Sequence, residues 1–196
     1  SFDLTYLRCI PNMVVMAPAD ENETRRMLYT AYLQDSPTAV RYPRGAGPGA
    51  PVHPDMNALA IGKAKILREG KHIAILAFGS PVYDALKAGE ELNATVVNMR
   101  FVKPIDQKLI KDIAKHYDYI ITVEDNAVMG GAGSAVNEVL AQDPYAIRIK
   151  NLGLPDQFLD HASREELLID AGLDADSLLK SIQSFISASE TQPSTA

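Results

Sequence analysis

The chain has 196 residues, of which 46% are hydrophobic and 22% are charged, a composition typical of a globular protein with one large or two small domains. Its 25 acidic and 19 basic residues give a net charge of -6, so nucleic acid is not an expected partner. Residues 1–53 carry five acids and five bases, which leaves twenty acids and fourteen bases for the remainder and suggests two units.

The first unit is predicted to fold as strand, helix, strand. Met13–Ala17 is a short apolar run between two prolines, which is typical of a strand buried on both faces of a parallel sheet. Asp20, followed by Glu23, marks the start of a helix that runs to about Leu33. A second short strand is expected at Thr38–Tyr42. Since no initiator methionine precedes this unit, we expect the chain to begin partway through a domain, as a fragment.

Residues 43–53 are rich in proline and glycine, which favours a linker or an ordered binding loop. Beyond them, Ala60–Leu67 and His72–Phe78 flank a turn and are predicted to pair as a hairpin. The following segments alternate between helix and strand, as in a mostly parallel sheet. They are helix Val82–Leu92, strand Ala94–Met99, helix Gln107–His116, strand Tyr119–Val123, helix Ser134–Leu140, strand Ala146–Ile149 and helices over 163–170 and 174–187.

These elements predict an α/β fold in which the end of one α/β domain precedes a complete α/β domain. Residues 1–53 form the first unit with its linker, and residues 54–188 form the second, with a mostly parallel sheet. The polar residues 189–196 are predicted to be a disordered tail.

The segment Arg41–Gly45 contains the residue that we consider the strongest candidate for ligand binding. It follows a predicted parallel strand, and open α/β sheets bind ligands beyond the carboxyl ends of such strands. The guanidinium of Arg44 offers a planar fork of donors that matches phosphate or carboxylate oxygens. The alternative is that Arg41 or Arg44 pairs with a carboxylate where the two units meet.

The glycine-rich stretch Gly130–Ser134 lies between a strand and a helix, so its backbone N–H groups could bind the phosphate of an effector. Because Val136 stands where a dinucleotide-binding motif needs a small residue, a structural glycine turn is favoured. Glu124 and Asp125 follow the same strand and could bind a cation or move protons, but a helix cap or a contact between the units is favoured. The four histidines are not spaced for a metal site.

The single cysteine, Cys9, excludes a disulfide within the chain, and no neighbouring residue completes a redox or metal motif. No apolar run approaches the roughly 18 residues that span a bilayer. The chain also opens without a signal-peptide pattern. We therefore expect a cytoplasmic protein with no membrane partner.

Six blocks of the sequence carry a family resemblance. They are Ser1–Met13, Pro18–Glu23, Arg41–Gly45, Asn98–Pro104, Val123–Ser134 and Asn151–Asp156. Together they resemble the 1-deoxy-D-xylulose-5-phosphate synthase family of transketolase-like thiamine-diphosphate enzymes over nearly the whole chain except the tail. The resemblance implies the end of a pyrimidine-binding domain in residues 1–53, a transketolase C-terminal-type domain in residues 54–188, and a homodimeric parent enzyme.

Enzymes of this family decarboxylate pyruvate on thiamine diphosphate with Mg²⁺ and join the two-carbon unit to glyceraldehyde 3-phosphate, for isoprenoid, thiamine and pyridoxal biosynthesis. An arginine in their Tyr-Pro-Arg-Gly motif helps to hold the phosphate of the aldehyde, which implies that role for Arg44. The motifs that hold the cofactor and Mg²⁺ have no match in this sequence. The resemblance therefore implies a chain that is inactive and binds neither of them without the missing N-terminal domains.

Two other hypotheses stay open. The chain could be a stand-alone interaction or regulatory module, although its predicted start within a domain argues against this. It could also be a nicotinamide-nucleotide oxidoreductase that uses Gly130–Ser134, although the motif is imperfect.

Overall fold

A computed structural model describes residues 1–191 of the chain. The N-terminal part contains α1 (Asp3–Leu7), β1 (Val14–Met16), α2 (Glu21–Tyr32) and β2 (Thr38–Val40). Helix α2 begins as predicted, because the Asp20 carboxylate accepts a hydrogen bond of 2.7 Å from the backbone N–H of Glu23. Strand β1 is buried, as its apolar sequence predicts, whereas α1 has no counterpart among the predicted elements.

Residues 41–64 contain no helix or strand, and the remaining elements follow them. These are β3 (Lys65–Arg68), β4 (Ile73–Phe78), α3 (Val82–Glu91), β5 (Thr95–Asn98), β6 (Phe101–Lys103), α4 (Gln107–His116), β7 (Tyr119–Ala127), α5 (Ala132–Leu140), β8 (Arg148–Leu154), α6 (Arg164–Asp170) and α7 (Ala175–Glu190). Helix α7 continues through the first two residues of the predicted tail, and residues 192–196 of that tail lie outside the described residues.

The larger sheet has five strands in the order β3-β5-β4-β7-β8. Strands β5, β4, β7 and β8 are parallel, and β3 is antiparallel to β5 at one edge. The predicted hairpin is therefore wrong, because β5 lies between β3 and β4. Strand β4 is buried along its whole length, so it occupies a position inside the sheet, whereas the partly exposed β3 lies at the edge.

The smaller sheet has three strands in the order β2-β1-β6. Strand β1 is parallel to β2 and antiparallel to β6, with Met16 opposite Phe101. Strand β6 was not among the predicted strands, and it comes from the second predicted unit. Met16, Met27 and Phe101 form one buried cluster that joins this sheet to α2. The two predicted units thus share a sheet and a core.

Helices cover both faces of the larger sheet. Alternate residues of β4 belong to different clusters, with Leu76 packing beneath α4 and α5, and Ile75 packing beneath α3 and α7. This three-layer arrangement confirms the predicted α/β fold with a mostly parallel sheet. Within residues 1–191, no helix has the length and the apolar character that crossing a membrane requires.

Candidate functional site

Arg44 lies in the irregular segment that leaves the carboxyl end of β2, and it is exposed. Among the described residues its guanidinium makes no hydrogen bond, whereas each of the other arginines makes at least one. Arg44 lines a cavity of about 460 Å³ between this segment and the C-terminal elements. Its donors are therefore available to an anion entering that cavity.

Arg41, three residues earlier, is held between two carboxylates. Its Nε donates to Asp3 Oδ2 at 2.8 Å, and its Nη2 donates to the backbone carbonyl of Asp125 at 2.6 Å. Its Nη1 also contacts the Asp125 carboxylate. Burial opposes the charge of the guanidinium, but the two carboxylates outweigh it and raise the pKa of Arg41. The alternative considered for this pair of arginines, a carboxylate partner between the two units, is thus confirmed for Arg41.

Asp125 extends this network toward α6. Ser80 Oγ donates to Asp125 Oδ2 at 2.8 Å, and Arg164 Nη2 donates to Ser80 Oγ at 2.6 Å. Sequence reasoning did not identify Ser80 or Arg164. Ser80 follows the end of β4, and β4 and β7 are parallel neighbours, so that pairing could have placed it near Asp125. For Arg164 the sequence carries no comparable signal.

Glu124 is buried and caps α5. Its carboxylate accepts hydrogen bonds from the backbone N–H groups of Ala132 at 2.7 Å and Gly133 at 2.8 Å. Burial raises the pKa of Glu124 to about 7, although these two hydrogen bonds favour the ionised form. The helix-cap hypothesis is confirmed for this residue. The carboxylate occupies two of the N–H groups that a nucleotide phosphate would need, which disfavours the oxidoreductase hypothesis.

The glycines of the stretch 130–134 serve close packing. A Cβ added at Gly131 would lie 2.3 Å from Glu124 Oε2, and one added at Gly133 would lie 2.5 Å from Thr122 Oγ1. The structural glycine turn favoured from the sequence therefore has a direct cause. A side chain at Gly131 would displace the carboxylate that caps α5, and one at Gly133 would collide with Thr122 and Asn151.

The part of the chain that the structure describes holds no cluster of metal-binding side chains. Within residues 1–191, no three His, Cys, Asp or Glu side chains come together as a metal site would require. The one described histidine that contacts a carboxylate is His72, whose Nδ1 lies 2.7 Å from Asp118 Oδ2 at an exposed position.

Comparisons with known proteins give a consistent family. Residues 1–49 match the transketolase pyrimidine-binding domain, and residues 62–178 match the transketolase C-terminal domain. The chain is 57% identical over 185 residues to a 1-deoxy-D-xylulose-5-phosphate synthase from Nitrosococcus oceani, which covers 94% of this chain and 29% of that protein. It is 56% identical over 183 residues to the same enzyme from Thioalkalivibrio sulfidiphilus, with 93% and 29% covered. The chain thus spans less than a third of the length of these relatives.

Solved structures agree with this result. A structure described as a split gene transketolase, an inactive beta4 tetramer, superposes with a TM-score of 0.84 at 34% identity, over 93% of this chain and 60% of that one. Transketolase from Campylobacter jejuni superposes with a TM-score of 0.65 at 22% identity, over 93% and 28% of the chains, and supports the fold alone. The resemblance to 1-deoxy-D-xylulose-5-phosphate synthases is confirmed, and the chain belongs to the transketolase family.

Proposed function

We propose that this chain forms the C-terminal part of a 1-deoxy-D-xylulose-5-phosphate synthase, in which Arg44 binds the phosphate of glyceraldehyde 3-phosphate. The complete enzyme would join pyruvate to this aldehyde with loss of carbon dioxide, using thiamine diphosphate and Mg²⁺ held by its N-terminal domains. We further propose that it acts as a cytoplasmic homodimer. The names of the relatives support the reaction, and the share of their length that this chain spans supports the division of roles.

The observation that carries the proposal is the contrast between Arg41 and Arg44. Arg41 is neutralised by Asp3 and Asp125, so it is a structural anchor for the segment that follows β2. Arg44 has no such partner among the described residues and faces a cavity, which is how a residue that awaits an anionic ligand is arranged. Pro43 between them restricts the backbone, so the anchored Arg41 limits the positions open to Arg44.

On this proposal the chain contributes binding and orientation. When the Arg44 guanidinium binds the substrate phosphate, it fixes one end of the three-carbon aldehyde. The aldehyde carbonyl at the other end is thereby positioned for the reaction in the complete enzyme. Because the phosphate does not react, its binding energy is available for orienting the aldehyde. The domain limits 1–53 and 54–188 stay a proposal, which the two family matches support.

The test is a chimera in which this chain replaces the matching 185 residues of the Nitrosococcus oceani enzyme. In it, Arg44→Ala should raise KM for glyceraldehyde 3-phosphate by about tenfold to a hundredfold, since a charged hydrogen bond contributes roughly 1.5–3 kcal/mol. Pyruvate decarboxylation should change much less. Arg148→Ala is the matched control, because Arg148 begins β8 and does not line the cavity that Leu154 lines at the other end of this strand.

Two results would contradict this function. The first is an Arg44→Ala chimera with an unchanged KM for the phosphorylated aldehyde. The second is an inactive chimera that still assembles like the relative and binds thiamine diphosphate, because the chain would then be unable to support the reaction.

The chain without N-terminal domains should not bind the cofactor. Isothermal titration calorimetry of the 196-residue chain with thiamine diphosphate and Mg²⁺ should give no heat beyond dilution. A clear binding isotherm at micromolar cofactor would show that the proposed division of roles is wrong.

A further inference from the structure

The cavity beside Arg44 is also lined by an arginine of the second predicted unit. Arg164, the first residue of α6, lines the same cavity of about 460 Å³ from the opposite unit. Leu154, Leu159 and Leu167 also contribute to the wall. The cavity thus combines arginines from distant parts of the chain with an apolar surface.

The charges that line this cavity favour an anion. Three arginines and two aspartates line it, a balance of +1 from described side chains in a chain of net charge -6. Both aspartates form ion pairs with Arg41, so the unpaired positive charge of the cavity lies on Arg44 and Arg164. Neither of these two forms an ion pair with a described residue. Low-dielectric apolar walls strengthen the attraction between such groups and an anion.

A neighbouring cavity of about 300 Å³ provides an internal comparison. It is also lined by Arg164, but its other charged residues are Lys87 and the acids Asp20, Asp84 and Glu165, a balance of -1. An anion is therefore expected in the cavity shared with Arg44.

Arg164 is held in place before any ligand arrives. Its Nη2 donates to Ser80 Oγ at 2.6 Å, and Ser80 donates to Asp125 Oδ2 at 2.8 Å. Asp125 is in turn fixed by Arg41. One nitrogen of the guanidinium is thus used for orientation, while Nε and Nη1 make no hydrogen bond with a described residue. A donor that is already ordered loses less conformational entropy on binding.

We propose that Arg164 is a second phosphate-binding residue, which acts with Arg44 on a short phosphorylated aldehyde whose carbon chain contacts the leucines. This inference rests on the function proposed for Arg44. Two guanidinium groups at one cavity can share the three terminal oxygens of a phosphate, which a single arginine cannot saturate.

The experiment is an NMR titration of the ¹⁵N-labelled 196-residue chain, following arginine Nε–Hε signals. The ligands are inorganic phosphate, glyceraldehyde 3-phosphate and unphosphorylated glyceraldehyde. Arg44→Gln and Arg164→Gln should each weaken binding of the phosphorylated aldehyde by about tenfold. Arg148→Gln should bind like the unaltered chain. Arg164→Lys keeps the positive charge but lacks the planar fork of donors, so it should bind with an intermediate affinity. If Arg164→Gln loses the dispersed amide spectrum of a folded protein, Arg164→Lys takes its place in the comparison.

The outcomes separate this inference from the function on which it rests. Loss of affinity in Arg44→Gln but not in either Arg164 variant would overturn the role of Arg164 and leave that of Arg44 intact. Unchanged affinity in all variants, or no shift of the two arginine signals at tens of millimolar phosphate, would overturn both. Equal affinity for inorganic phosphate and glyceraldehyde 3-phosphate would overturn recognition of the carbon chain.

Discussion

Glu124→Gln should remove a pH dependence of stability that originates at the cap of α5. The Glu124 carboxyl is buried, and burial raises its pKa from 4.5 to about 7. Between these two values the folded chain keeps a proton that the unfolded chain has released. The free energy of unfolding must therefore fall as the pH rises through this interval, and it levels off above the folded pKa.

The size of the effect follows from the displacement of the pKa. A shift from 4.5 to about 7 corresponds to about 3 kcal/mol, since one pKa unit is equivalent to about 1.4 kcal/mol. Glutamine does not titrate, so its variant should lack this slope. Asp174, whose pKa lies below the ordinary value of 3.8, titrates in more acid solution and should not contribute between about pH 5 and about pH 8.

Urea unfolding followed by circular dichroism at several pH values between about 5 and 8 measures the slope directly. The difference in stability between the unaltered chain and Glu124→Gln should change by about 2.5 kcal/mol across this range, which begins above the unfolded pKa. Glu90→Gln, on the exposed side of α3, is the matched control. Parallel pH curves for the unaltered chain and Glu124→Gln would refute the reasoning, because they would mean that the buried carboxyl does not titrate in this interval.

Two further predictions concern the contacts around this cap and between the two units. Arg41→Gln should lower the free energy of unfolding by about 3 kcal/mol, because it leaves the buried Asp125 carboxylate without its charged partner. Asp125→Asn should cost less, because Arg41 keeps its ion pair with Asp3. The double variant should cost about 2 kcal/mol less than the sum, and additive losses in urea titrations would contradict a direct interaction. Gly131→Ala should cost about 1–3 kcal/mol, because its Cβ would lie 2.3 Å from Glu124 Oε2. Ser134→Ala, in the same helix, should change stability by less than about 0.5 kcal/mol, and equal losses for the two would count against a steric cause.

Local features of the fold were predictable from the sequence, whereas long-range pairing was not. The caps at Asp20 and Asp174 depend on residues within three positions, so the sequence alone predicts both helix starts. Strand β6 has three residues, too few for a periodic pattern, and it forms because Phe101 pairs with Met16 far away in the chain. The hairpin prediction failed for the same reason, since strand β5 enters between two sequence neighbours.

The candidate site shows the same division. Arg44, as a candidate ligand-binding residue, and Glu124, as a candidate helix cap, could be selected from the sequence because each follows a predicted strand. Ser80 lies beside Asp125 because β4 and β7 are parallel neighbours. Arg164 lines the cavity beside Arg44 only because α6 folds back to Ser80, a contact that depends on the folded core. No residue pattern in a single sequence predicts such a contact.

Because β6 belongs to the smaller sheet, the irregular segment 41–64 is not the only link between the two predicted units. A protease cutting there would sever the polypeptide without releasing a separate body, because β1 would still be hydrogen bonded to β6 and Met16 would still pack against Phe101. The two family domains are therefore joined by this sheet as well as by the segment between them, and opening that connection would require breaking the pairing of β1 with β6.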